Sequence, residues 1–140
     1  MRTALDMLFE EGLENVWARH TVFANTVRAA VEAWSAEGGL SFNIADPAHR
    51  SDSTTTILSG SIDTEEMRRI CETDTGLVLG VGLGDFAGKA FRIGHMGHLN
   101  PPMVLGTLGT IEAALHHMGA PMGGSGVAAA SKVVAEALGK

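Results

Sequence analysis

The stretch KAFRIGHMGHLNPPMVLGTLGTIEAALHHMG, residues 89–119, changes its period once, and that change decides the fold. Phe91 and Ile93 alternate with Arg92, the two-residue repeat of a strand. Beyond Asn100 the apolar residues Val104, Leu108, Ile111, Leu115 and Met118 recur at steps of four and three, one face of a helix. Asn100 is a natural N-cap, and Pro101 suits a first turn, where its missing N–H costs nothing. Gly106 and Gly109 inside that helix each cost about 1 kcal/mol relative to alanine. They are expected to permit close approach of another backbone.

The same reading extends to both sides. Residues 3–11 and 13–35 predict two helical segments broken near Gly12, the second carrying Val16, Phe23, Val27, Ala30, Val31 and Trp34 on one face. Gly38-Gly39 ends it. LSFNI (40–44) and TTTILSG (54–60) predict strands. Asp63, with Glu66 three residues on, predicts the start of a helix over 64–74 that Gly76 closes. LVLGVGLG (77–84) and KAFRIGH (89–95) predict two strands joined by a glycine-rich turn. Residues 124–140 predict a last helix, with Val127, Ala130, Val134 and Leu138 on one side. The order predicts an α+β domain, with helices packed on one face of a small, mostly antiparallel sheet.

Composition narrows the function classes. The 140 residues are 45% hydrophobic and 19% charged, enough for one domain with a real core. A net charge of −6 without basic runs argues against nucleic acid and anionic membranes as partners. No apolar run approaches the ~20 residues of a membrane span. The single cysteine, Cys71, fits a reducing cytoplasm. Residues 1–85 hold fourteen acids and six arginines, whereas 86–140 hold six charged residues in all. The plain reading is that this tail forms the core of the domain; the sharper alternative is that it also packs against something absent from this chain. The chain begins almost inside a helix, which suggests a piece of something larger; a natural start at Met1 is the alternative.

Most candidate sites fail on chemistry. A P-loop needs glycine six residues before its lysine and Ser/Thr after it; around Lys89 those places hold Leu83 and Ala90. Gly82-Leu83-Gly84-Asp85-Phe86-Ala87 fits a loose dinucleotide pattern, but a strand follows it, so no helix N-terminus awaits a pyrophosphate. His95, His98, His116 and His117 lack a second matched cluster, and no metal is expected. Cys71 sits among Glu66, Glu72 and Asp74, the opposite of the electropositive setting a nucleophilic thiol requires. It is expected to be a buried small hydrophobe. His20 reads as a packed or interface histidine, and Arg68-Arg69 as a solvated helix face.

Arg92 stands apart. Its guanidinium is permanently charged and shaped to grip a carboxylate through two parallel hydrogen bonds. An ion pair within the domain is one explanation, yet residues 85–111 contain a single acid, Asp85. Gly94 and Gly97 are expected to clear space beside it. A small anionic ligand is the better reading.

ALDMLFEEGLENVWARH (4–20) and FRIGHMGHLN (91–100), together with the glycine-containing helix behind them, closely resemble the C-terminal region of class V pyridoxal-phosphate aminotransferases. The resemblance is nearest to the serine–glyoxylate and alanine–glyoxylate branch. It runs in order over nearly the whole chain and is weakest in 40–75. It implies a fold-type-I enzyme, usually a homodimer, whose large cofactor domain precedes this small one. Residues 1–140 would be the small domain, with 1–35 leading in from the large one. The resemblance assigns Arg92 to the substrate α-carboxylate. It implies ping-pong transamination from a small amino acid, such as serine or alanine, to a 2-oxo acid such as glyoxylate.

The chain departs from that pattern in its lysines. Lys89, Lys132 and Lys140 lie in a turn, a terminal helix and the last position, and none matches the family's Schiff-base lysine. The phosphate cradle and the aspartate that pairs with the pyridine nitrogen are missing too. The chain alone is therefore expected to be inactive, with no catalytic or cofactor-binding residue of its own. Cys71 is misplaced for the related cysteine desulfurases. The alternative is a stand-alone, non-enzymatic domain that binds an organic anion or a protein partner.

Overall fold

The computed structural model describes residues 2–36 and 38–139; Met1, Glu37 and Lys140 fall outside them. The elements are α1 (Arg2–Glu11), α2 (Leu13–Trp34), β1 (Ser41–Phe42), β2 (Thr54–Leu58), α3 (Thr64–Thr75), β3 (Gly80–Val81), β4 (Ala90–Gly94), α4 (Pro101–His117) and α5 (Gly126–Ala137). The strands form one antiparallel sheet in the order β1-β2-β4-β3. This is the α+β architecture expected from the period changes.

The local signals explain the boundaries. Gly12 separates α1 from α2 at φ 83°, a conformation that costs glycine nothing. The Asp63 carboxylate accepts the Glu66 N–H at 3.0 Å, and Gly76 ends α3 in the left-handed region. Asn100 Oδ1 accepts the Met103 N–H at 3.0 Å at the start of α4, and Ser125 Oγ accepts the Ala128 N–H at 3.2 Å at the start of α5.

The core is built on α2. Phe23, Val27, Ala30, Val31 and Trp34 are buried, and they meet Ile57, Phe91 and Ile93 from the sheet, Met67, Ile70 and Cys71 from α3, and Leu108, Ile111 and Leu115 from α4. Fully burying each large apolar side chain contributes about 1.5–3 kcal/mol. Helix α5 lies on α2, which is its most extensive partner, and also touches α4. Buried Gly126 makes that approach possible: a Cβ there would collide with the Trp34 indole.

Some expectations change. β1 and β3 are two residues each, far shorter than 40–44 and 77–84. β3 stops at Gly82, where a Cβ would strike the Phe86 carbonyl, so the chain folds into the 84–86 turn instead of extending. Among the described residues no other backbone approaches Gly106 or Gly109: an added Cβ would have open space at the first and only Val127 Cγ2, 3.9 Å away, at the second. Helix α5 ends at Ala137, which leaves Leu138 70% exposed and off the apolar face. Helix α1 buries none of its side chains.

Candidate functional site

Strand β4 alternates as its sequence demands. Phe91 and Ile93 are buried under the helices, and Arg92 is half-buried on the opposite face of the sheet. Antiparallel register places Thr56 and Gly80 on either side of Arg92, and Thr54 opposite Gly94. Arg92 Nε donates to the Val81 carbonyl at 2.8 Å. Among the described residues no carboxylate forms an ion pair with Arg92, and neither Nη atom has a hydrogen-bond partner. An internal ion pair is thus absent among the described residues, and the charge stays available for an anion from outside.

A cavity of about 330 Å³ opens beside the guanidinium, with Thr54, Leu79, Gly80, Arg92, Gly94 and Thr107 among its lining. That is room for a small organic acid. Gly94 contributes by having no side chain. Gly97 does not: its N–H is held by His20 Nε2 at 2.9 Å and its carbonyl by Arg19 Nη1 at 2.8 Å, so it serves the turn after β4. The glycine closest to the guanidinium is Gly80 across the strand pair. A Cβ there would sit 3.1 Å from Arg92 Cβ and 3.4 Å from Nε. Sequence reading missed Gly80 and Val81, because only the β3–β4 register brings them to the arginine.

The remaining candidates take structural positions. His95 is buried, with Nδ1 3.1 Å from the Asp52 carbonyl and Nε2 2.9 Å from Thr55 Oγ1. A carbonyl only accepts, so Nδ1 carries the proton and Nε2 accepts from the threonine. Burial pushes the imidazole below its ordinary value, and the ring stays neutral as a pin between β2 and the end of β4. His98, His116 and His117 are exposed, and among the described residues no three metal-ligating side chains converge. Cys71 is fully buried, and burial raises its thiol pKa. Arg69 is the solvated residue of its pair, ion-paired to Glu66. Arg68, ion-paired to Glu65 through Nη1, also lays its stem along the protein and donates from Nε to the Leu79 carbonyl at 3.2 Å, which anchors the segment leading into β3.

Lys89 and Lys132 are exposed, and neither lines the cavity. The described residues therefore provide a grip for an anion and no amine beside it, which does not fit a Schiff-base cofactor.

No protein-family model matches the chain. The chain is 43% identical over 138 residues to the serine–glyoxylate aminotransferase of Methylorubrum extorquens, covering 97% of this chain and 33% of that protein. It is 44% identical over 133 residues to the enzyme of that name from Arabidopsis thaliana, covering 94% and 32%. Among solved structures, the pyridoxamine–pyruvate aminotransferase of Mesorhizobium loti superposes with a TM-score of 0.85 at 33% identity, over 96% of this chain and 34% of that one. The chain spans about a third of the length of the curated relatives it matches. In sequence and in fold, the chain matches the C-terminal part of class V aminotransferases.

Proposed function

We propose that residues 1–140 form the substrate-holding small domain of a pyridoxal-phosphate-dependent transaminase, with 1–35 leading in from a large domain. The intact protein moves an amino group from a small amino acid, such as serine or alanine, to a 2-oxo acid such as glyoxylate. It works as a homodimer in the cytoplasm. The observation that carries this reading is Arg92: a cation on an open sheet face, fixed through Nε and with no acid partner among the described residues, beside a cavity sized for a small acid.

Amino acid and 2-oxo acid share one chemical handle, the α-carboxylate. A planar guanidinium that takes it through two hydrogen bonds fixes the plane of the acid as well as its position. The same grip serves both half-reactions, since only the group on the α-carbon differs between the two substrates. The cofactor, when bound, supplies the electron sink and the temporary home for the amino group. Its holding residues belong to the large domain, in keeping with the lack of an amine at this cavity among the described residues. The names of the relatives, two of which are serine–glyoxylate aminotransferases, support the choice of substrate class.

The test is kinetic. In the intact protein, Arg92→Ala should raise KM for both the amino acid and the 2-oxo acid. Removing one partner of a desolvated, hydrogen-bonded charge pair costs about 2–5 kcal/mol, or roughly 30-fold to several thousand-fold. Unchanged KM values for both acids would remove Arg92 from the carboxylate site.

A further inference from the structure

We infer that β3 sets the direction in which the Arg92 clamp works: Val81 and Gly80 are positioning residues that leave only the two Nη atoms for the carboxylate. This deepens the carboxylate-clamp reading and rests on it.

A guanidinium can meet a carboxylate along two edges. The side edge uses Nε with one Nη, and the end edge uses both Nη atoms. In this protein Nε is already committed, donating to the Val81 carbonyl at 2.8 Å. Taking Nε for a ligand would leave that carbonyl without its donor. The end edge carries no such cost, because neither Nη has a partner among the described residues. The acid therefore approaches along the outward axis of the guanidinium and is held farther from β4 than a side-on acid.

Gly80 makes this arrangement sterically possible. It pairs directly with Arg92 across the β3–β4 ladder. A Cβ at position 80 would lie 3.1 Å from Arg92 Cβ, 3.3 Å from the Arg92 carbonyl and 3.4 Å from Nε. The first two are tighter than an ordinary contact, and both involve atoms that cannot swing away. An added methyl must therefore shift the arginine stem or the strand. Gly80 also has no positive φ, so backbone freedom does not explain the glycine. Space for the arginine does. β3 is itself held in place, by Arg68 Nε on the Leu79 carbonyl at 3.2 Å and by the Gly82 N–H on the Ala90 carbonyl at 2.9 Å. The short strand acts as a fixed rest for the clamp.

The experiment is a double-mutant cycle in the intact protein, using Gly80→Ala, Arg92→Ala and the pair, with Gly94→Ala as a control. Gly94 lines the same cavity, and a Cβ there meets nothing within 4 Å. Gly80→Ala should raise KM for both acids by roughly tenfold while kcat changes little, because a misplaced clamp weakens binding. In the Arg92→Ala background the same substitution should have no further effect. Gly94→Ala should raise KM less than Gly80→Ala does.

An Arg92→Ala variant with wild-type KM would overturn the clamp reading itself. A Gly80→Ala effect that is absent, or that persists undiminished without the arginine, would overturn only the role of β3. If Gly80→Ala does not fold, hydrogen exchange of the wild-type chain decides. The Arg92 Nε–H should exchange roughly tenfold more slowly than that of solvent-exposed Arg2, and equal rates refute the fixed Nε.

Discussion

Replacing Glu112 by alanine should cost the fold about 1.5–4 kcal/mol. Its carboxylate accepts the Trp34 indole N–H at 2.7 Å, the Ser125 hydroxyl at 2.7 Å and the Val127 N–H at 3.0 Å. Hydrogen bonds to a charged acceptor are worth about 1.5–3 kcal/mol each, but three on one carboxylate do not add in full. The Ser125 hydroxyl is exposed and would turn to water at little loss. Trp34 is 0% exposed, so its N–H would be stranded at about 1–3 kcal/mol. Val127 lies in the first turn of α5, where a negative charge adds about 0.3–1 kcal/mol through the helix dipole. Against a total stability of about 5–15 kcal/mol this loss is large.

Urea unfolding of the chain measures it: the midpoint should fall with the slope unchanged. Glu112→Gln keeps an acceptor and should cost about 1–2 kcal/mol. The acid limb adds a second check. Burial alone would raise the Glu112 pKa. Hydrogen bonds from Trp34, Val127, Ser125 and Gly126 outweigh it and hold the group below its ordinary 4.5. A carboxylate depressed in the fold stabilises above its unfolded pKa, and that contribution is lost as pH falls through the folded value. Below pH 4.5 the wild type should therefore lose stability more steeply than the glutamine variant. An alanine variant within about 0.5 kcal/mol of wild type, or identical acid slopes, would refute the reasoning.

Two further outcomes are expected. His95 has a folded pKa below the ordinary 6.5, so its contribution is fully present above that value and lost as pH drops beneath it. Unfolding free energies measured from pH 8 down to 5 should fall for wild type and flatten for His95→Gln; parallel curves would exclude the neutral-pin role. Cys71, fully buried with a raised thiol pKa, should react with an aromatic disulfide reagent only at the rate of unfolding. Immediate labelling of the native chain would contradict its burial.

The sequence made legible whatever depends on neighbours a few residues apart. The Gly12 break, the Asp63 and Asn100 caps, the α2 stripe and the alternation that turns Arg92 away from the core all rest on local periods or single turns. What it concealed depends on distant pairings. Trp34 and Glu112 stand 78 positions apart, and nothing near either one points to the other. Arg68 looked like half of a solvated pair until the fold brought the Leu79 carbonyl within reach. Glycines misled in the same way. Gly94 and Gly97 were conspicuous because they flank Arg92 in sequence, yet Gly80, across the ladder, is the one whose missing Cβ the arginine needs. Gly106 and Gly109 break a helical pattern without meeting a backbone in this chain, and nothing in the structure explains them.

The close seat of α5 on α2 has a consequence for how the chain is made. Those two helices are separated by the whole sheet in sequence, so their mutual burial is a long-range closure of the kind that slows folding. During synthesis α2 emerges well before α5, with Ala30 and Trp34 waiting for a surface that arrives only when Gly126 and Ala130 leave the ribosome. For that interval a nascent chain shows a bare apolar ridge, a natural target for holding chaperones. The two tryptophans divide the record of this event. Trp34 passes from water into the interior, whereas Trp17, 61% exposed in the finished fold, scarcely changes its surroundings. A stopped-flow trace of the chain's own fluorescence thus reports chiefly on the closing of α4 and α5 around Trp34.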